Sequence, residues 1–132
     1  DFGNLQAEKS FKQWDAYGLS KLCNIYFTYE LAKRLENTGV TANCLHPGVV
    51  RTNFGNEASK MIKIFMKLLG GFLLTPEKGA ETSIFLASDD SVKNVSGKYF
   101  IKKRQALSSE LSYNEDIARK LWEHSEKLVG LS

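Results

Sequence analysis

From Trp14 to Asn37, apolar side chains recur at three- and four-residue intervals through Leu19, Leu22, Cys23, Tyr26, Phe27, Leu31 and Leu35, with no proline and no glycine after Gly18. The spacing predicts one long, largely buried helix, and Gly39 follows its last turn as a stop. The pattern then changes. Val40-Thr41-Ala42-Asn43-Cys44-Leu45 is short, partly β-branched and ended by His46-Pro47-Gly48, which predicts a strand followed by a loop. Between Glu57 and Leu74, Met61, Ile62, Ile64, Phe65, Met66, Leu68 and Leu69 make a broad apolar surface while Lys60, Lys63 and Lys67 gather on another side, the signature of a short amphipathic helix. Thr75 is a capping residue before Pro76, and Ala80, Ile84, Phe85 and Leu86 carry a helical period to Ser88. Ser96-Gly97 precedes a brief strand, Lys98-Tyr99-Phe100-Ile101, and a closing helix is expected from Asn114 to Val129 on Ile117, Leu121, His124 and Leu128.

Helix, strand, helices, strand, helix is the order of an α/β protein whose parallel sheet is covered on both faces. A pair of strands cannot complete such a sheet, so the remaining strands are expected from upstream sequence or another chain. There is no internal repeat, low-complexity tract or linker, and residues 1–132 read as one incomplete domain. Asp1-Phe2-Gly3-Asn4 offers no initiator Met, charged leader region or apolar leader core, which leads to the expectation of a truncated N-terminus.

Composition narrows the function classes. With 42% hydrophobic and 25% charged residues the chain has the balance of a soluble globular domain, and a net charge of +3 with interleaved signs argues against nucleic acid as its main partner. Lys102-Lys103-Arg104, the basic triplet, reads as a solvated loop. Cys23 and Cys44 have neither metal-ligand spacing nor the density of a disulfide framework, which suits a reducing, intracellular compartment. No apolar run reaches the roughly 18 to 20 residues of a membrane-spanning helix.

The candidate chemistry begins with Tyr17-Gly18-Leu19-Ser20-Lys21. A four-residue spacing at the start of a helix turns the phenol and the ammonium the same way. A free tyrosine titrates at about 10, and a neighbouring cation favours its phenolate, so such a pair suits proton transfer nearer neutral pH. Taken alone the pair is common, and a surface tyrosine beside a solvated lysine is its plainer explanation. Position adds to it: Pro47-Gly48-Val49-Val50-Arg51-Thr52 follows the next strand, at the carboxyl edge where open α/β sheets bind ligands. Gly48 permits close approach of backbone, the amides near Val50 suit a carboxamide, and the Thr52 hydroxyl suits a carboxamide or a phosphate. An ordinary strand-ending turn is the alternative.

Ala16-Tyr17-Gly18-Leu19-Ser20-Lys21-Leu22, Glu30-Leu31-Ala32-Lys33-Arg34-Leu35, Leu45-His46-Pro47-Gly48-Val49-Val50-Arg51-Thr52 and Ser96-Gly97-Lys98-Tyr99-Phe100 together resemble the short-chain dehydrogenase/reductase family, and within it the retinol dehydrogenases and related carbonyl reductases. Ala118-Arg119-Lys120-Leu121-Trp122-Glu123-His124-Ser125 is similar to the closing helix of that branch, so the resemblance spans nearly the whole chain.

The resemblance implies the C-terminal part of a Rossmann-like doubly wound parallel sheet that lacks the N-terminal dinucleotide-binding strands. It implies Tyr17 as proton donor to a carbonyl oxygen, Lys21 as the group that lowers the tyrosine pKa and binds the nicotinamide ribose, and Pro47, Gly48, Val49, Val50 and Thr52 as the border of the nicotinamide. The family's serine and asparagine belong upstream; Ser10 is too close to Tyr17 and Ser20 lies inside the motif, so neither takes the serine's role. The glycine-rich first turn is also upstream, and the branch favours NADP(H) over NAD(H).

The implied function is an oxidoreductase interconverting a hydrophobic aldehyde or ketone and its alcohol, with quinones, steroids and small xenobiotic carbonyls as other substrates of the same class, and with this fragment inactive by itself. The rival is a non-catalytic remnant or dimerisation module. A homodimer is expected in either case, in a cytoplasmic or cytoplasm-facing location that leaves upstream membrane anchoring open. The helix from Glu57 to Leu69 has three readings: substrate lid, core packing, or membrane-surface contact through its lysines. His46 reads as structural, and Asn94-Val95-Ser96 as an incidental match to a glycosylation pattern.

Overall fold

The computed structural model describes residues 2–50 and 73–131. The elements are α1 (Gln13–Arg34), β1 (Cys44–His46), α2 (Pro76–Ser88), β2 (Tyr99–Ile101), β3 (Arg104–Ala106) and α3 (Glu115–Leu128), with short 3-10 turns at Phe2–Asn4, Asp90–Val92 and Glu110–Tyr113. The helix expected between Glu57 and Leu69 lies outside the described residues, as does Thr52. β1, β2 and β3 form a three-stranded sheet in that order. The chain divides into two compact units, Asp1–Cys44 with Val95–Lys98 and Leu107–Ser132, and Leu45–Asn94 with Tyr99–Ala106.

The first unit is built on α1 and α3. Tyr26 of α1 packs with Ala118 and Leu121 of α3, flanked by Leu5, Leu22 and Cys23, and the Tyr26 hydroxyl donates to the Leu111 carbonyl at 2.7 Å. Lys33 and Glu115 join the two helices at 2.8 Å. Asn114 caps α3, its Oδ1 accepting from the Ile117 amide at 3.0 Å, as its position before the helical period suggests. Two expectations change. α1 is not largely buried: only Tyr26, Thr28, Glu30 and Ala32 are buried, while Trp14 and Phe27 are 66% and 46% exposed. Within this unit α3 covers a single face of α1, and an apolar period marks every face a helix could bury, not the face that is covered. On α3 the buried positions are Ala118 and Leu121, whereas Ile117 and Leu128 are exposed.

The strand expected from Val40 begins only at Cys44. Before it, side chains take the place of a ladder: the Ser96 hydroxyl accepts from the Ala42 amide at 3.1 Å, and the Asn43 carboxamide donates to the Val95 carbonyl and accepts from the Lys98 amide. Ser96 of the glycosylation-like triplet is therefore a structural hydroxyl.

In the second unit, α2 starts and stops where its sequence says. Thr75 Oγ1 accepts from the Lys78 amide at 3.3 Å, Pro76 occupies the first turn, and the helix ends at Ser88. Phe85 of α2 and the buried Phe100 of β2 meet with ring centroids 6.4 Å apart. The basic triplet is not simply a loop, and the sheet is not wholly parallel. β2 and β3 are antiparallel, pairing Tyr99 with Ala106, Phe100 with Gln105 and Ile101 with Arg104. Lys102 and Lys103 form the two-residue turn at φ 50° and 63°, the left-handed pair that a tight hairpin requires and that asparagine or glycine usually supplies. Thr82 Oγ1 accepts the Lys103 amide at 3.2 Å, and Glu81 meets the Lys103 ammonium at 3.3 Å, which offsets part of the strain. No helix among the described residues is long and apolar enough to cross a membrane.

Candidate active site

Tyr17 and Lys21 lie on consecutive turns near the start of α1, which places them on one face. The Lys21 Nζ stands 5.2 Å from the centroid of the Tyr17 ring, and Trp14 meets the same ring edge-on, 6.5 Å between centroids at 86°. A cation over an aromatic face at an exposed position is worth about 0.5–1 kcal/mol, enough to bias the side chains without locking them. Tyr17 is 44% exposed. The Ser20 hydroxyl donates to the Tyr17 carbonyl at 2.7 Å, and the Ser10 hydroxyl accepts from the Asn4 side chain at 3.2 Å. Both hydroxyls make local hydrogen bonds, Ser20 within α1 and Ser10 with Asn4.

On the flank of α1 runs an open groove of about 500 Å³, walled by apolar Leu5, Leu19 and Cys23 and rimmed by Asn4, Ser10 and Asp15. Burial pushes the Cys23 thiol up, so it is a neutral wall residue rather than a nucleophile. Tyr17 and Lys21 do not line this groove.

The other predicted site segment belongs to the second unit and is built differently. Gly48 has φ 83°, a left-handed conformation that a side chain would strain. A Cβ at Gly48 would also come 2.6 Å from Leu74 Cδ1. The Gly48 amide donates to His46 Nδ1 at 2.9 Å, the Leu74 amide donates to the Val49 carbonyl at 2.9 Å, and Val50 and Leu74 form an isolated parallel bridge. Val50 then packs on Gly79 in the first turns of α2, where a Cβ would lie 2.5 Å from Val50 Cγ2. Val49 is 61% exposed, with its carbonyl held by the Leu74 amide. His46 was read from sequence as structural, and it supports the turn, while Leu74 and Gly79 were not singled out. Gly79 did carry a signal, since an internal helix glycine costs about 1 kcal/mol against alanine and marks a close approach.

Among the described residues no group of three or more His, Cys, Asp or Glu side chains could hold a metal ion. A family model described as enoyl-(acyl carrier protein) reductase matches residues 3–101, a span that contains the Tyr17–Lys21 pair and the Pro47–Val50 turn. The chain belongs to the short-chain dehydrogenase/reductase family. Within it the sequence lies in the retinol-dehydrogenase-like branch. Retinol dehydrogenase 14 of Homo sapiens is 46% identical over 134 residues, covering 99% of this chain and 40% of the relative. Retinol dehydrogenase 11 of Mus musculus is 42% identical and retinol dehydrogenase 12 of Homo sapiens 39% identical, each across 98% of this chain. The chain spans about two fifths of the length of these relatives.

Membership of the short-chain dehydrogenase/reductase family implies a nicotinamide dinucleotide, and each unit by itself carries groups that suit a part of it. The exposed phenol of Tyr17 and the three donors of the Lys21 ammonium suit ribose hydroxyls, and the glycine turn with exposed Val49 suits a flat amide-bearing ring. The described residues include no glycine-rich turn at a helix N-terminus of the kind that receives a pyrophosphate.

Proposed function

We propose that this chain is the C-terminal, proton-donating part of an NADP(H)-dependent oxidoreductase that interconverts a hydrophobic, retinoid-like aldehyde or ketone and its alcohol. The observation that carries the reading is the Lys21 ammonium held over the exposed Tyr17 ring on one face of α1. In reduction, the Tyr17 hydroxyl gives its proton to the carbonyl oxygen as negative charge builds there; in oxidation it takes that proton back. General acid–base assistance of this kind contributes about 10²- to 10⁴-fold. Lys21 keeps a positive charge beside the phenol and holds a ribose hydroxyl, while Pro47, Gly48, Val49, Val50 and Thr52 border the nicotinamide. When bound, the dinucleotide supplies the hydride.

In this reading residues 1–132 form part of a single domain whose upstream strands complete a Rossmann-like doubly wound parallel sheet and supply the pyrophosphate site, the substrate-binding serine and the relay asparagine. Among the described residues β1 stands at one edge of its sheet, which suits an additional strand there. The short chain, with only the nicotinamide-ribose end of the site, does not turn over by itself. NADP(H) is taken over NAD(H), and a hydrophobic substrate over a polar one, from the branch to which the sequence belongs. The same reading places the protein in or facing the cytoplasm, with any membrane anchor upstream.

A second reading, a dimerisation module without catalysis, draws on the exposed aromatic residues Trp14 and Phe27 of α1, which suit pairing with a second copy. Calorimetric titration with NADPH of this chain and of a version extended upstream through the first strands separates the two. Binding by the extended chain alone supports the oxidoreductase; binding by neither removes it and leaves the dimerisation module.

A further inference from the structure

The end of β1 poses a backbone problem. Pro47 has no amide hydrogen, so the first donor after His46 is the Gly48 amide, and it belongs to a residue in the left-handed region at φ 83°. The structure answers with the histidine itself: Nδ1 of His46 accepts the Gly48 amide at 2.9 Å. Nδ1 hangs from Cγ just as Oδ1 does in asparagine, so the imidazole closes the kind of two-residue turn that an asparagine side chain closes. To accept, Nδ1 must carry no proton, which assigns the ring to the neutral form with its hydrogen on Nε2.

We propose that His46 is a positioning residue that acts through Gly48, fixing the turn whose far side presents Val49 and Val50 to the dinucleotide. The proposal rests on the oxidoreductase reading and deepens it by naming what aims that turn. The far end of the segment is held by the Leu74 amide on the Val49 carbonyl at 2.9 Å and by Val50 against Gly79. The near end is held by His46. With the near clamp gone, Gly48 regains the wide conformational range that glycine has, and the direction in which the following backbone leaves β1 is no longer set. The imidazole acts here as an acceptor with a fixed tautomer, so its Nδ1 is not available as a proton-transfer group.

The test uses the chain extended upstream, as wild type, His46→Ala and His46→Asn. Asparagine keeps an acceptor at the same distance along the side chain, whereas alanine removes it. One lost hydrogen bond of this kind corresponds to roughly a 3- to 10-fold change in an equilibrium constant. His46→Ala is expected to raise the NADPH dissociation constant and KM by that factor with kcat changed less than about 2-fold, and His46→Asn to return both to within about 2-fold of wild type. Histidine ¹⁵N spectra should show His46 with an unprotonated Nδ1 and a protonated Nε2, and the Gly48 amide resonance should move in the alanine variant and return in the asparagine variant.

Unchanged NADPH binding in His46→Ala, or an asparagine variant as weak as alanine, overturns the positioning role. A protonated Nδ1 in the wild type overturns the clamp itself. A wild type that binds no NADPH while keeping the Nδ1 signature overturns the oxidoreductase reading, and the role with it, but leaves the His46–Gly48 bond standing, so the two failures are distinguishable.

Discussion

The Tyr17–Lys21 face and the Pro47–Val50 turn reach their geometry by opposite routes. On α1 the helix repeat brings the phenol and the ammonium together on one face, with the Trp14 ring edge and the Lys21 Nζ against the same ring. The turn has no such repeat. It depends on a left-handed glycine, an imidazole that closes the turn, a backbone bond from Leu74 and a hole in α2 at Gly79 that receives Val50. A site on a helix therefore tolerates changes around it, whereas a site on a loop is only as well placed as its supports.

That contrast can be broken by substitution. The largest effect on stability is expected at Gly48→Ala, where a left-handed φ of 83° and a Cβ 2.6 Å from the end of Leu74 act together. A loss of about 2–3 kcal/mol in denaturant unfolding is expected, and a loss below about 0.5 kcal/mol would show that the turn is not held as described. Gly79→Ala comes next, since the stiff Val50 side chain lies 2.5 Å from the new methyl. The gain in helix propensity offsets part of the clash, leaving about 1–2 kcal/mol of destabilisation. Adding Val50→Ala to Gly79→Ala should recover about half of it, and additive losses in this double-mutant cycle would refute the contact.

On the helix the expectation reverses. Lys21→Ala should change unfolding free energy by less than about 0.5 kcal/mol, because the side chain is exposed and its partner is a ring face. The smallest effect concerns the frame of α2. Lys78 first, and then Lys103, hold the Glu81 carboxyl below its ordinary pKa. A depressed carboxylate contributes stability above its unfolded pKa and loses it as pH falls through the folded value. Melting temperature measured from neutral to strongly acidic pH should therefore drop slightly more in the wild type than in Glu81→Gln; equal drops would show that the network contributes nothing measurable.

How much of this was legible depended on whether the controlling interaction was local. Thr75, Pro76 and Asn114 are adjacent to what they cap, and the start and end of α2 and the start of α3 follow from them. The hairpin was missed because Lys102-Lys103 adopts a left-handed turn without the glycine or asparagine that normally announces one, and its support comes from Thr82 and Glu81, remote in sequence. Ala118 escaped notice as a core residue because small side chains give a weak periodic signal, although it is more deeply buried than Ile117. The Tyr17–Lys21 pair was readable from spacing, while the clamp on Gly48 by His46 needs a side-chain orientation that no spacing specifies.

The central claim is that Tyr17 is the proton donor of a nicotinamide-dependent oxidoreductase, and turnover by Tyr17→Phe in the upstream-extended chain tests it most directly. With NADPH and retinaldehyde as substrate, kcat is expected to fall about 10²- to 10⁴-fold while NADPH affinity stays within a few-fold of wild type. A phenylalanine variant that turns over at the wild-type rate would contradict the claim.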